Sequence, residues 1–181
     1  MSLPTNSTAP SAAASTLDAE ALYAELLQQV KAGLADAHEP AIVGIHSGGA
    51  WLAERLAADL GLSARCGVLD VSFYRDDFAK KGLPAEVKPT QIGFDVAGAT
   101  LLLVDDVLYT GRTTRAAINE LFDYGRPAKI MLAALVDRGE RQLPVAADFV
   151  AAKVAVPAGQ ALVLKRTEAG QFTLTIENDH A

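Results

Sequence analysis

The chain has 181 residues, half of them hydrophobic and 21% charged, with a formal net charge of -6. That is enough for one domain with a real core, and the acidic balance argues against a protein whose main task is neutralising a phosphate backbone. The single cysteine, Cys66, excludes an intramolecular disulfide framework and a multi-cysteine zinc site; it is read as a packing residue.

No apolar run approaches the roughly 18 residues of a membrane span. Residues 1–16, "MSLPTNSTAPSAAAST", carry no Lys or Arg and no apolar stretch of signal-peptide type. They read as a disordered tail, followed by a single domain over 17–181. The expected location is the cytoplasm, with no membrane partner.

A first helix is predicted from about Thr16 to Ala37, with Asp18 and Glu20 in its first turn, where the helix dipole favours acids. Leu22, Leu26, Val30 and Leu34 share a face at four-residue spacing. "AIVGI" (41–45) reads as a strand covered on both faces. "HSGG" (46–49) is a turn and "AWLAERLAADL" (50–60) a helix. "GVLDVSFY" (67–74) alternates like a strand. Residues 75–98 are long, polar and broken by Gly and Pro, a composition typical of functional loops. "TLLLV" (100–104) is the clearest buried strand. "TTRAAINELFDYG" (113–125) is a helix stopped by Gly125, and "KIMLAALV" (129–136) another buried strand. Short β segments follow, including "ALVLK" and "FTLTI". Strands alternating with helices imply a parallel sheet with helices on both faces.

The informative stretch is "LLLVDDVLYTGRTT" (101–114). It places two adjacent carboxylates, Asp105 and Asp106, at the end of a strand, and open α/β sheets bind ligands outside the carboxyl ends of their strands. The turn behind them opens a helix, whose first N–H groups cradle phosphate. Gly111 permits close backbone approach, and Thr110, Thr113 and Thr114 offer hydroxyls. A ligand with a phosphate at one end and sugar hydroxyls beside it uses both parts. A divalent ion offsets the repulsion of the two acids, which in a ligand-free site are expected to face water. A Walker B strand also ends in two acids, but there is no GxxxxGK[ST] loop. "GIHSGG" is only a loose match to a dinucleotide-binding turn.

"LLLVDDVLYTGRT" resembles the thirteen-residue phosphoribosyl pyrophosphate (PRPP) signature of the type I phosphoribosyltransferases. "VSFYRDD", "GRPAKI", "LVDRGERQLPVAADFV" and the order of segments resemble the pyrimidine operon regulator/uracil phosphoribosyltransferase (PyrR) family over about Leu17 to Asp179. The resemblance implies an α/β fold: a central, mostly parallel sheet flanked by helices, with a flexible loop and a small hood.

It also implies roles. Asp105 and Asp106 hold the ribose hydroxyls and meet Mg2+ indirectly, through ribose or water. Val107, Leu108, Tyr109, Thr110, Gly111, Arg112 and Thr113 complete the PRPP site, with the loop from Thr110 around the ribose phosphate. Purine enzymes carry a further acid where this chain has Tyr109, which favours a pyrimidine. His46, Ser47, Gly48 and Gly49 form the pyrophosphate loop, in which a strained or cis peptide aims N–H groups at the leaving diphosphate. Active relatives typically read Thr-Arg-Gly there, so Gly48 removes a charge-assisted contact. Residues 75–98 form a lid whose Arg75, Lys80, Lys81 and Lys88 reach the diphosphate. Asp137, Arg138, Lys153 and Val154 line the uracil pocket. Asp105, Asp106, Asp137 and Arg75 are the catalytic candidates; for Asp137 the plain alternative is an ion pair with Arg138 or Arg141.

The implied reaction converts uracil and PRPP to UMP and pyrophosphate in a homo-oligomer, dimer or larger. Regulation through pyrimidine operon leader mRNA is the family's second role. Positions basic in RNA-binding relatives are Glu140, Ala146 and Ala152 here, while Arg141 is kept, so strong RNA binding is not expected. A nucleotide sensor with little turnover is the competing reading, and a purine or orotate enzyme a third.

Overall fold

The computed structural model describes residues 17–71 and 89–179. The tail 1–16, and Arg75, Lys80, Lys81 and Lys88 of the expected lid, lie outside them.

Helix α1 (Ala19–Gly33) starts at Asp18, whose side chain accepts Ala21 N–H at 3.0 Å, the usual way to satisfy an orphan amide. It is shorter than predicted at both ends. Its last residue, Gly33, lies where the Phe149 ring packs; a Cβ there would lie 2.5 Å from Phe149 Cε1. The buried stripe is Ala19, Tyr23, Leu26, Val30 and Leu34, with Tyr23 in place of the expected Leu22. Strand β1 (Pro40–Ile45) leads into α2 (Gly48–Leu60), then β2 (Cys66–Leu69), β3 (Thr100–Leu108), α3 (Arg112–Asp123), β4 (Lys129–Asp137), β5 (Phe149–Lys153) and a hairpin of β6 (Gln160–Arg166) with β7 (Phe172–Asn178).

The first five strands form one parallel sheet in the order β2-β1-β3-β4-β5. Its continuous apolar strands are buried on both faces, as parallel sheets are. On one face Ile42, Leu102, Val104 and Ala133 pack with α1, α2 and the β6-β7 hairpin. On the other Ala41, Val43, Leu101, Leu103 and Ala134 pack with Ala117 and Leu121 of α3. Fully burying each Val, Leu or Ile side chain among these is worth about 1.5–3 kcal/mol.

Three details place the site. First, Gly44 lets α2 close onto β1: a Cβ there would lie 2.5 Å from Gly49 O and 2.6 Å from Ala50 Cα. Second, β3 does not stop at Val104 as predicted but runs on to Leu108. Third, the expected lid is docked from residue 89 on. Val68 and Gln91 exchange two main-chain hydrogen bonds of 2.9 Å, Val96 is buried, and Thr90 Oγ1 donates to Glu120 at 2.6 Å.

No helix among the described residues is long and apolar enough to cross a membrane. Cys66 is half-buried at the start of β2, and burial, with the Glu54 charge adding, pushes its thiol up to about 11. The rate of iodoacetamide alkylation will therefore rise through a midpoint near 11. At about pH 8 it will be on the order of 100-fold slower than for a free cysteine of pKa about 8.5. A midpoint near 8.5 would show that the thiol is not packed as described.

Candidate active site

The site forms where β3 outruns β1. Pairing with β1 ends at Gly44 opposite Val104, whereas β4 continues with Asp105 opposite Ala134, Val107 opposite Val136 and Leu108 opposite Asp137. Successive side chains on a strand point to opposite faces. Asp106 thus follows Leu102 and Val104 onto the α2 face, and Asp105 follows Leu101 and Leu103 onto the α3 face. Alternation separates the two charges.

Asp105 is only 3% exposed, and its Oδ1 accepts Asp106 N–H at 2.9 Å. Asp106 Oδ1 accepts Val107 N–H at 2.8 Å. The expectation of two acids facing water is corrected: one is buried, the other half-buried, and each accepts a main-chain hydrogen bond.

Behind them Gly111 caps α3 with φ of 91°, a conformation glycine adopts without steric cost. Thr110 is buried and its Oγ1 accepts Arg112 N–H at 3.3 Å. The Arg112 side chain turns away, donating from Nε to Gln142 Oε1 at 2.8 Å. Thr114 is 1% exposed, and its hydroxyl is buried with no partner among the described residues. Asp105, Asp106, Val107, Leu108, Tyr109, Thr110, Gly111 and Thr113 line a cavity of about 310 Å³, with Arg138 and, from the hairpin region, Ala161, Leu162 and Asp179. Nothing in the sequence pattern ties these last three to a site some fifty residues upstream; only the folded hairpin brings them there.

The 46–49 loop reaches the same strand end. The His46–Ser47 peptide bond is cis, and His46 N–H donates to Leu69 O at 2.9 Å. Gly48 and Gly49 are buried in the first turn of α2. A Cβ on Gly49 would overlap Val104 O and lie 3.0 Å from Asp105 Cα; one on Gly48 would overlap the Asp106 carboxylate. Helix α2 therefore starts two residues earlier than predicted, pressed against β3 by its two glycines.

Asp137, Arg138, Lys153 and Val154 lie together, lining a second cavity of about 340 Å³ with Gly139, Arg141 and Ala155. Lys153 is exposed and sits opposite Asp137 in the β4-β5 ladder. Arg138 borders both cavities. Its guanidinium lies 3.8 Å from the centroid of the Tyr109 ring, and its buried Nε has no partner among the described residues.

Asp137 is engaged by Arg141 through two bonds, Nη1 to Oδ1 at 2.9 Å and Nη2 to Oδ2 at 2.6 Å. It also accepts Gly139 N–H at 2.9 Å. The plain alternative of the sequence reading is thus present. Arg141 further donates to Tyr109 O at 2.7 Å and Val145 O at 2.8 Å, so it clamps the end of β4 to the turn after β3. The Arg141 hydrogen bonds hold the Asp137 carboxyl below its ordinary range, with the Gly139 amide and the Lys153 charge adding.

The Phosphoribosyl transferase domain model matches residues 13–157. A Bifunctional protein PyrR of Ralstonia nicotianae is 54% identical over 166 residues, covering 89% of this chain and 95% of the relative. One from Nitrosococcus oceani is 44% identical over 163 residues, covering 88% and 92%. Among solved structures, the hypoxanthine phosphoribosyltransferase of Trypanosoma cruzi superposes with a TM-score of 0.64 at 17% identity, covering 89% of this chain and 94% of that one. A purine phosphoribosyltransferase from Pyrococcus horikoshii gives 0.58 at 24% identity, covering 76% and 83%. These structures show the fold, which is that of the type I phosphoribosyltransferases. Within that class the chain belongs to the PyrR family.

Replacing Asp137 by Asn is expected to lower stability by about 1.5–3 kcal/mol at neutral pH, the range for a hydrogen bond to a charged group. A carboxyl held below its unfolded value of about 3.9 stabilises the fold above that pH and loses the contribution as pH falls. In urea unfolding the gap between wild type and D137N should therefore close in acid. A gap that persists or widens there would contradict the pairing.

Proposed function

We propose that this chain is a uracil phosphoribosyltransferase that converts uracil and PRPP to UMP and pyrophosphate. One observation carries the reading: the carboxylates on β3 just beyond its pairing with β1 and the glycine-capped turn before α3 line one cavity at the carboxyl edge of a parallel sheet. In this reading the N–H groups of Thr110, Gly111, Arg112 and Thr113 receive the 5′-phosphate. The orphan Thr114 hydroxyl at the base of that turn gains a phosphate oxygen as partner. Asp105 and Asp106 accept from the ribose hydroxyls, and the 46–49 loop receives the pyrophosphate. The second cavity takes uracil between Asp137, Arg138, Lys153 and Val154. At Tyr109 the purine enzymes' acid is missing, and the ring instead backs the Arg138 guanidinium. Arg75 and the lid lysines lie outside the described residues, and no step is assigned to them.

The donor set suits a magnesium ion that arrives with its substrate. Among the described residues no group of three or more His, Cys, Asp or Glu side chains could hold a metal, whereas Mg2+ is held by one or two carboxylates together with substrate phosphates. When bound, it neutralises charge developing on the leaving diphosphate. The protein's own share is positioning. Asp105 and Asp106 fix the ribose so that its C1 faces the base while the bond to pyrophosphate breaks through an oxocarbenium-like transition state.

The relatives are named bifunctional, and for this chain the second role we infer is regulation of pyrimidine operon transcription by sensing UMP and PRPP. Arg141 is an unsuitable RNA contact, because its guanidinium is already bonded to Asp137, Tyr109 and Val145. Gly48, where the resemblance implies an arginine in catalytically active members of the family, favours a sensor with slow turnover as the second reading.

With uracil, PRPP and Mg2+ the protein should release pyrophosphate, and hypoxanthine, guanine and orotate should not replace uracil. The double variant D105N/D106N should weaken PRPP binding on the order of 100-fold. Tight binding of PRPP and UMP without pyrophosphate release would select the sensor; no binding of either would defeat both readings.

A further inference from the structure

The chain that leaves β4 wraps the back of the turn before α3. Arg138 N–H donates to Leu108 O at 3.0 Å, and the N–H groups of Gln142 and Leu143 donate to Thr110 O at 2.9 and 3.1 Å. A Cβ on Gly111 would lie 3.2 Å from the Val145 side chain. The same stretch begins as a wall of the second cavity, through Asp137, Arg138 and Gly139. Gly139 and Glu140 take positive φ in succession, which folds the chain back and brings the Arg141 side chain to the Asp137 carboxylate.

Arg141 joins the two walls. Its guanidinium donates to both oxygens of Asp137, in the wall of the second cavity, and to the carbonyl of Tyr109, in the wall of the first. A bond from Nε to Val145 O ties it to the wrapping stretch as well. One rigid, planar donor set holds all these acceptors, which a lysine ammonium on its flexible stem does not reproduce.

We propose that Arg141 is a positioning residue that keeps the base pocket in register with the phosphoribose seat. This rests on the phosphoribosyl reading above and deepens it. In a nucleotide the base and the ribose phosphate are joined by one bond. Affinity gains from both cavities only when their walls stand at the spacing that bond allows. Asp137, Arg141 and the Tyr109 carbonyl form a bridge in series, so breaking either link releases the spacing. Arg141 also lines the second cavity, and the rival role is therefore direct contact with the base.

The test is calorimetric titration of the full-length wild type, R141Q, D137N and the double variant with UMP and, separately, with ribose 5-phosphate, the fold of each checked by circular dichroism. The readout is Kd(ribose 5-phosphate) divided by Kd(UMP), which isolates what the base adds. Lower stability, or a change in the phosphate turn, affects both ligands and cancels. The ratio is expected to fall on the order of tenfold in R141Q and in D137N, and no further in the double variant, because the links are in series. R141K keeps the charge but loses the fork, and its ratio should fall too; if R141Q does not fold, R141K takes its place. An unchanged ratio in a folded Arg141 variant overturns the proposal. So do separate effects that multiply in the double variant, since they mark direct contact with the base. A wild type that binds UMP no more tightly than ribose 5-phosphate, or binds neither, contradicts the phosphoribosyl reading itself.

Discussion

Strand β3 is flanked by β1 and β4 as far as Val104, and beyond that residue β4 is its only paired strand among the described residues. A strand edge without a partner presents main-chain groups that need hydrogen bonds. Here two acids stand at the transition, and each carboxylate takes the N–H of the residue after it. The carboxylates are thereby oriented before any ligand arrives. The same extension carries the chain past the sheet before it turns, so that Thr110, Gly111 and the first turn of α3 line the cavity.

Two further contacts keep that geometry. The glycines of β1 and α2 let the helix lie so close that Gly49 touches the Val104 carbonyl and Gly48 the Asp106 side chain. From the other side, Arg141 joins β4 to the turn by bonding Asp137 and the Tyr109 carbonyl at once. Arg138 stands between the two cavities, stacked on Tyr109. In the proposed reading a phosphoribosyl group and a base occupy these adjoining spaces, with Arg138 bordering both.

The strands around "AIVGI" and "TLLLV" were legible because a strand buried on both faces is continuously apolar, and the turn before α3 because a glycine among hydroxyl side chains marks a chain reversal. What was not legible depends on partners distant in sequence. Asp105 to Leu108 looked like the end of a strand, since two charges interrupt the apolar run; pairing with Ala134 and Val136 keeps them in it. Gly48 and Gly49 looked like a turn, because helix propensity disfavours glycine; the close approach of β3 requires it there. The Asp137–Arg141 pair arises from a turn in which Gly139 and Glu140 take φ of 78° and 57°, so local spacing did not single it out from Asp137–Arg138. The stretch 89–98 lacked strand periodicity, yet Gln91 is held by two main-chain hydrogen bonds to Val68, far from it in sequence.

The central claim is that the doubled acid and the turn behind it are a preformed seat for a phosphoribose. A crystal structure of the protein soaked with UMP tests it most directly. The expected density has the phosphate within hydrogen-bonding distance of the main-chain N–H groups of residues 110–114 and the ribose hydroxyls on Asp105 and Asp106. A nucleotide bound anywhere else, with that turn empty, would contradict the account.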